Sequence, residues 1–194
     1  MHGGHKFPAA HRAHLDSSER RAYLDPSSIL ASFGVKEGWR IADIGAGIGF
    51  FSISAASLVG PQGRVYAVDL SAEMLEDLQA KIAANGVTNV VALLSTEDRV
   101  PLGDRTVDFA LLACVLHEFD GRGTLLECRR ILKETGLLGV VDWKKIDQDE
   151  GPPREHRIDE TEAAAILRDT SFRPVRTFEA GPYHYAIEAR VHAE

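Results

Sequence analysis

The sequence predicts an α/β fold, a doubly wound, mostly parallel sheet of seven strands that ends in an antiparallel hairpin. Three observations predict it. From Trp39 onward, short apolar strand-like runs alternate with helical stretches, the pattern of a parallel sheet covered by helices on both faces. The run at 109–116 is apolar on both faces, as a strand inside such a sheet must be. Near the end of the chain, Ala180-Gly181-Pro182 separates two strand-like segments at hairpin spacing.

Each element has a local reason. Ser17 and Ser18 precede a short charged helix, and Asp25-Pro26 is an N-cap followed by a first-turn proline, opening a helix to about Phe33. Residues 40–44 read as the first strand, followed by a glycine-rich turn and a helix over 50–59. Gly60-Pro61-Gln62-Gly63 turns the chain into a second strand at 64–68. Ser71 caps a helix carrying Met74, Leu75, Leu78 and Ile82 at helical spacing, and Asn85-Gly86 ends it. Strands follow at 90–94 and 106–115, then a helix at about 120–132 and a strand at 137–143. Glu150-Gly151-Pro152-Pro153 breaks the chain before a helix at 159–170. Strands at 175–179 and 183–191 complete the sheet.

No linker, repeat or low-complexity tract divides residues 1–194, so one domain is expected: a polar, His/Arg-rich arm or lid at 1–25 and a core at 26–194. The longest apolar run, 109–116, is far short of the roughly 20 residues a membrane span needs, and the first residues lack the apolar stretch of a secretory signal. A cytoplasmic protein with no membrane partner is the expectation. Cys114 and Cys128 make neither a disulfide framework nor a Cys-x-x-Cys metal pair. The net charge of −7 argues against a nucleic-acid partner, which needs basic surface, and for a small uncharged or cationic ligand.

The sharpest feature is Ile41-Ala42-Asp43-Ile44-Gly45-Ala46-Gly47-Ile48-Gly49-Phe50. Glycines between a strand and a helix permit a tight turn and close approach of a ligand to the backbone. The second feature is Val65-Tyr66-Ala67-Val68-Asp69-Leu70, where Asp69 ends a strand 20 residues past Gly49. A carboxylate there accepts both hydroxyls of a ribose, although it also serves as a helix cap. Together the two features point to a nucleoside-containing ligand. The dinucleotide spacing G-x-G-x-x-G would require a glycine where this chain has Phe50. Asp43, two residues before Gly45, suits a cationic amino acid better than a pyrophosphate. S-adenosylmethionine combines ribose, adenine, a sulfonium and an ammonium.

These motifs resemble those of the class I S-adenosylmethionine-dependent methyltransferases, with a Rossmann-like fold. DIGAGIG resembles that family's first motif and VYAVDLS its second; PLGDRTVDFALLACVLHEF resembles the stretch around its fourth strand and RRILKETGLLGVVDW the helix and strand that follow. The LHE at 116–118 and the opening GHKF…SSERRAYLDP look most like small-molecule methyltransferases grouped with the ubiquinone/menaquinone and arsenite enzymes. The resemblance implies that Gly45, Ala46 and Gly47 approach the methionine part of S-adenosylmethionine, with Asp43 organising that site. It implies that Asp69 holds the ribose, that Leu70 and Met74 pack on adenine, and that backbone at Ala113 and Cys114 completes the methionine pocket. Relatives often carry Gly-Asp-Ala where this chain has Ser95-Thr96-Glu97, so the adenine amino group falls to either Thr96 or Glu97.

Methyl transfer from a sulfonium needs alignment and exclusion of water more than a catalytic group. His117, just past the fourth strand, is the catalytic candidate, able to deprotonate or orient an acceptor; the competing reading is a packing histidine. Asp142-Trp143-Lys144-Lys145 ends the fifth strand and is placed to line the acceptor pocket, although the lysines also suit a solvated surface. His11 and His14 could share a helix face for a metal, but a polar arm closing over the cofactor is the preferred reading, and no metal is assigned. The expected function is methyl transfer to a small molecule. The rivals are a cofactor-binding module without catalysis and a NAD-type oxidoreductase.

Overall fold

The computed structural model describes residues 17–192. Two short helices, α1 (Ser18–Tyr23) and α2 (Pro26–Ser32), precede an alternation of β1 (Arg40–Ile44), α3 (Phe50–Val59), β2 (Arg64–Asp69), α4 (Ala72–Ala84) and β3 (Val90–Leu94). The chain then crosses to β4 (Val107–Ala113), a 3-10 turn at Leu116–Glu118, α5 (Gly123–Ile131), β5 (Leu132–Trp143), α6 (Glu160–Asp169), β6 (Phe172–Glu179) and β7 (His184–Val191). The seven strands form one sheet in the order β3-β2-β1-β4-β5-β7-β6. Strands β1 to β5 pair in parallel, and β7 inserts antiparallel between β5 and β6.

Side-chain alternation along the buried strands builds two cores. Ile41, Val65, Phe109, Leu111 and Val141 face α2, α3 and α4, where Leu30, Phe33, Phe51 and Leu78 meet them. Ala42, Val68, Ala110, Leu112 and Val140 face α5 and α6, where Leu125, Ile131 and Leu167 meet them. Gly139 belongs to this packing. A Cβ there would stand 2.5 Å from the Phe109 ring and 3.1 Å from the Phe33 ring, so only glycine lets the two aromatic rings close over β5.

Two helix caps follow the sequence: Asp25 accepts from Ser27 N–H and Ser71 from Met74 N–H. Asp159, read from the sequence as the first residue of its helix, is instead the N-cap and closes a capping box with Glu162. Several boundaries differ from the sequence reading, and α5 begins at Gly123 rather than about 120. The fourth strand stops at Ala113 rather than 115, because Cys114 takes a left-handed φ of 59° and turns the chain out of the sheet. The fifth strand begins at Leu132, where Val107 pairs with Leu132 before a register shift. The sixth begins at Phe172 and runs through Pro174, a residue tolerated because β6 is an edge strand with a shift in register beside it.

The segment between β3 and β4 has no helix and is held by side chains instead. The Glu127 carboxylate accepts from Val100 N–H at 2.8 Å and from Arg130 Nε and Nη2 at 2.7 and 2.6 Å. Arg130 also donates to the carbonyls of Leu102 and Val100 and to Asp104. The Arg130 hydrogen bonds hold the Glu127 carboxyl below its ordinary value. Its contribution to stability is therefore present above the ordinary glutamate range and is lost as pH falls through the lowered folded value. Glu127→Gln is expected to lower the unfolding free energy near neutral pH by about 2 kcal/mol, the scale of a charged hydrogen bond. Urea titrations at several pH values should find the gap between variant and wild type closing in acid.

Candidate active site

The glycine turn between β1 and α3 is tied to the end of β2. Gly45 and Ala46 donate their N–H groups to the Val68 carbonyl at 2.8 and 3.0 Å. Gly47 N–H donates to Asp69 Oδ2 at 2.7 Å, while Ser71 N–H donates to Asp69 Oδ1 at 2.9 Å. Asp69 thus clamps the turn to the start of α4. Gly45 has φ +73°, and a Cβ there would meet Val115 Cγ1 at 2.6 Å, so both conformation and space demand glycine.

This turn opens onto a cavity of about 800 Å³ at the carboxyl ends of β1, β2 and β4. The sequence-derived cofactor residues Asp43, Gly45, Ala46, Gly47, Asp69, Leu70, Met74, Thr96, Glu97, Ala113 and Cys114 all line it, and so does His117. Asp43 is buried and accepts from Ser52 Oγ at 2.6 Å. Burial, with the charge of Asp69 added, outweighs that hydrogen bond and lifts the Asp43 carboxyl to about 6. Leu70 is exposed and Met74 buried, and both border the cavity as an apolar shelf next to Asp69. Cys114 is left as an inert thiol, because desolvation pushes it up to about 12. Cys128 is buried away from the cavity and pushed to the same value by burial.

His117 stands in the 3-10 turn that follows β4. Its Nδ1 lies 2.8 Å from Asp142 Oδ1, and its backbone N–H donates to Asp142 Oδ2 at 3.1 Å. Asp142 Oδ1 also accepts from Trp143 N–H at 2.8 Å. Nε2 of His117 lies 3.9 Å from Glu118 Oε1. Burial opposes charge on the ring, yet Asp142 and Glu118 together outweigh it and hold His117 above its ordinary value.

The far wall contains residues that periodicity and motifs did not single out. Tyr23 and Arg20 of α1, Asp98, Phe119 and Glu150-Gly151-Pro152-Pro153 all border the cavity. The breaker at 150–153 was legible as a turn, but its return onto the site is the work of Arg157. This buried guanidinium donates to the carbonyls of Pro152, Ile146 and Glu150 at 2.7, 3.0 and 2.7 Å. Gly151 then rests on Trp143, where a Cβ would come within 2.7 Å of the indole. His184, buried and neutral because desolvation lowers it to about 3, backs the wall, with its ring 4.0 Å from that of Trp143 and stacked on Tyr23 at 5.9 Å. Lys144 and Lys145 do not line the cavity. They pair with Glu179 and Glu162, the latter at 2.9 Å.

Residues 42–140 match the model of a family described as a methyltransferase domain. The chain belongs to that family. A crystal structure of a SAM-dependent methyltransferase from Aquifex aeolicus superimposes with a TM-score of 0.93 at 37% identity, over 96% of this chain and 100% of that one. A demethylmenaquinone methyltransferase of Geobacillus kaustophilus is 29% identical over 69% of this chain and 58% of its own length. A ubiquinone/menaquinone biosynthesis C-methyltransferase of Cupriavidus taiwanensis is 29% identical over 60% of this chain and 48% of its own length. The chain spans about half the length of these curated relatives. The N-terminal histidines lie outside the described residues. Among the described residues no group of three or more His, Cys, Asp or Glu is placed to hold a metal ion, and no helix is long and apolar enough to cross a membrane.

The His117–Asp142 pair generates a prediction. Because its folded value is raised, His117 contributes stability below the ordinary histidine range, and that contribution is lost as pH rises through the folded value. Asp142→Asn removes the charge but preserves the shape. The titration midpoint of His117, followed by nitrogen-detected NMR of the imidazole, is expected to fall in this variant.

Proposed function

We propose that this chain transfers a methyl group from S-adenosylmethionine to a small-molecule acceptor bound in the same cavity. The observation that carries the reading is the convergence on one crevice of the clamped glycine turn, the Asp69 carboxylate and the apolar shelf of Leu70 and Met74. The donor set suits the cofactor. Each Asp69 oxygen keeps a lone pair for a ribose hydroxyl beyond the backbone bond it accepts. Buried Asp43 offers negative charge near the Gly45-Ala46-Gly47 backbone, where a cationic methionine end belongs. Phe50, buried where a dinucleotide fingerprint has its third glycine, weighs against NAD.

When bound, the cofactor supplies an activated methyl on sulfur with a neutral thioether as leaving group. The protein's part is to hold and to exclude. Asp69 would orient the ribose, Leu70 and Met74 would cover one adenine face, and Thr96 or Glu97 would take the adenine amino group. Backbone at Ala113 and Cys114 would close the methionine side. His117, braced by Asp142, would accept a proton from the acceptor or orient it through Nε2. Tyr23, Phe119 and Trp143 would exclude water around the acceptor. Residues 1–194 would act as one domain, with 1–25 as a lid whose described part, α1, already borders the cavity. The absence of a nucleic-acid partner fits the net charge of −7, and a cytoplasmic location fits the shortness of the longest apolar run, 109–116.

Calorimetric titration with S-adenosylmethionine, S-adenosylhomocysteine and NAD tests the cofactor; the first two should bind and NAD should not. Incubating a metabolite pool with methyl-labelled cofactor tests turnover, and binding without any labelled product would reduce the chain to a cofactor-binding module. Asp69→Ala should weaken S-adenosylhomocysteine by about 1.5–3 kcal/mol for each charged hydrogen bond lost. Unchanged affinity in a folded variant would remove the ribose assignment. With an acceptor in hand, His117→Ala should cut kcat while cofactor affinity stays within twofold, by about the 10²-fold or more that general-base assistance supplies.

A further inference from the structure

The cavity has more wall than the cofactor reading uses, and the charge on that remainder is almost all of one sign. Asp98, Glu118, Asp120 and Glu150 border it in addition to the carboxylates assigned to the cofactor. The described lining residues include one arginine, Arg20, whose guanidinium carbon sits 4.4 Å from the centroid of the Phe50 ring, and no lysine. Two of the four carboxylates stand beside groups assigned to the acceptor. Glu118 Oε1 lies 3.9 Å from His117 Nε2. Glu150 precedes the Gly151 that rests on Trp143. Burial, with the charge of Glu150 added, holds the Tyr23 phenol above its ordinary value.

The His117 side chain is only 5% exposed, and its two nitrogens have different surroundings. Nδ1 is held at 2.8 Å by Asp142, which is buried behind the wall and does not border the cavity. A carboxylate there accepts, which places the ring hydrogen on Nδ1 and leaves the lone pair on Nε2, the nitrogen turned away from Asp142. Among the described residues Nε2 has no hydrogen-bond partner, because Glu118 at 3.9 Å is beyond reach. A basic nitrogen so placed is fit to take a proton from a ligand. The sign of the wall decides which ligand gives it. A hydroxyl or a carbon acid would become an anion among carboxylates, whereas an ammonium that gives up a proton never carries negative charge.

We propose that the methyl acceptor is an organic amine, bound as its ammonium by the carboxylates of Glu118 and Glu150, with its carbon skeleton against Tyr23, Phe119 and Trp143. The inference rests on the cofactor reading above and names the substrate class of the same site. His117 Nε2 takes one N–H proton, which frees the nitrogen lone pair. That pair forms the N–CH3 bond as the S–CH3 bond breaks, and the electrons of the broken bond stay on sulfur. The products are a neutral thioether and a methylated ammonium, and the proton on His117 passes to solvent. Positive charge thus moves from sulfur to nitrogen with no anion formed. The same carboxylates that would oppose a phenolate or an enolate offset the repulsion between a sulfonium and an ammonium held side by side. Aromatic walls suit the carbon groups next to the ammonium, whose partial positive charge is drawn to ring faces.

The test uses the full chain saturated with S-adenosylhomocysteine, which has no methyl to give, and three probes of similar skeleton: phenethylamine, phenethyl alcohol and phenylacetate. Titration near neutral pH, followed by ligand-observed NMR, should find the amine bound about tenfold or more tighter than the alcohol, with the carboxylate weakest. Glu118→Gln and Glu150→Gln should each weaken the amine about threefold or more and leave the alcohol within about twofold, a control that a misfolded variant would fail. A metabolite pool incubated with methyl-labelled S-adenosylmethionine should place the label on nitrogen, read from the methyl carbon shift. Three probes bound equally or not at all would overturn the proposal. So would a label on oxygen, carbon or sulfur, or a pool that yields no labelled product. Calorimetry with S-adenosylhomocysteine alone separates this failure from that of the cofactor reading. A chain that does not bind it overturns that reading and the amine with it, whereas a chain that binds it but shows no preference for the amine loses only the acceptor class.

Discussion

The reversal of strand order at β1 governs the whole molecule. From β1 the chain steps outward through β2 to β3, then returns to lay β4 on the other side of β1. Right-handed crossovers therefore send α3 and α4 to one face of the sheet and α5 and α6 to the other. The connections that leave β1 and β4 thus diverge to opposite faces of the sheet. A crevice must open there, and in open α/β sheets that is where ligands bind. The cavity of about 800 Å³ lies at this seam, and the glycine turn, Asp69 and His117 are brought together because each follows the end of a strand bordering or next to it.

What the seam opens, polar side chains shape. Asp69 fixes the glycine turn through Gly47 N–H, and Asp142 fixes the 3-10 turn through the backbone and ring of His117. In both cases a carboxylate at a strand end receives N–H groups from the connection leaving another strand. Arg157 does the reverse beyond β5, its guanidinium gathering backbone carbonyls to fold residues 150–153 against Trp143. Unpaired carbonyls near a cavity wall are costly, and one buried cation satisfies several of them while placing the wall. The result is a pocket lined by several carboxylates, by the aromatic rings of Tyr23, Phe119 and Trp143, and, among the described residues, by one arginine, Arg20, and no lysine.

The strands, the glycine turn and the Asp69 carboxylate beside it were legible because their determinants are local. β1 and β4 are runs long enough to be buried on both faces, and glycine at 45 is required by its own φ. Asp69 sits at a fixed distance along the chain from the turn it clamps, so spacing alone marks it. Ser71 caps its helix through an N–H three residues away, and that helix begins where the sequence puts it. The strand ends were less legible. The end of β4 depends on Cys114 adopting a left-handed conformation, which a cysteine does not announce. The start of β6 depends on its being an edge, which tolerates Pro174.

By itself the sequence determined the alternation of strands and helices, the glycine turn, the carboxylate of Asp69 at the end of the second strand and the position of His117 after a buried strand. Each of these is written within one element and its neighbour, where backbone conformation and burial pattern decide the outcome. The tertiary structure alone decided which side chains meet: which residues of the expected arm, Arg20 and Tyr23, border the cavity, how Asp142 reaches His117 across 25 residues of chain, and how Arg157 pulls Gly151 onto Trp143. Those contacts join elements from the start, middle and end of the chain. Their partners are selected by the order of strands in the sheet and by the need of buried charges and carbonyls for hydrogen bonds, neither of which leaves a period or a spacing in the sequence.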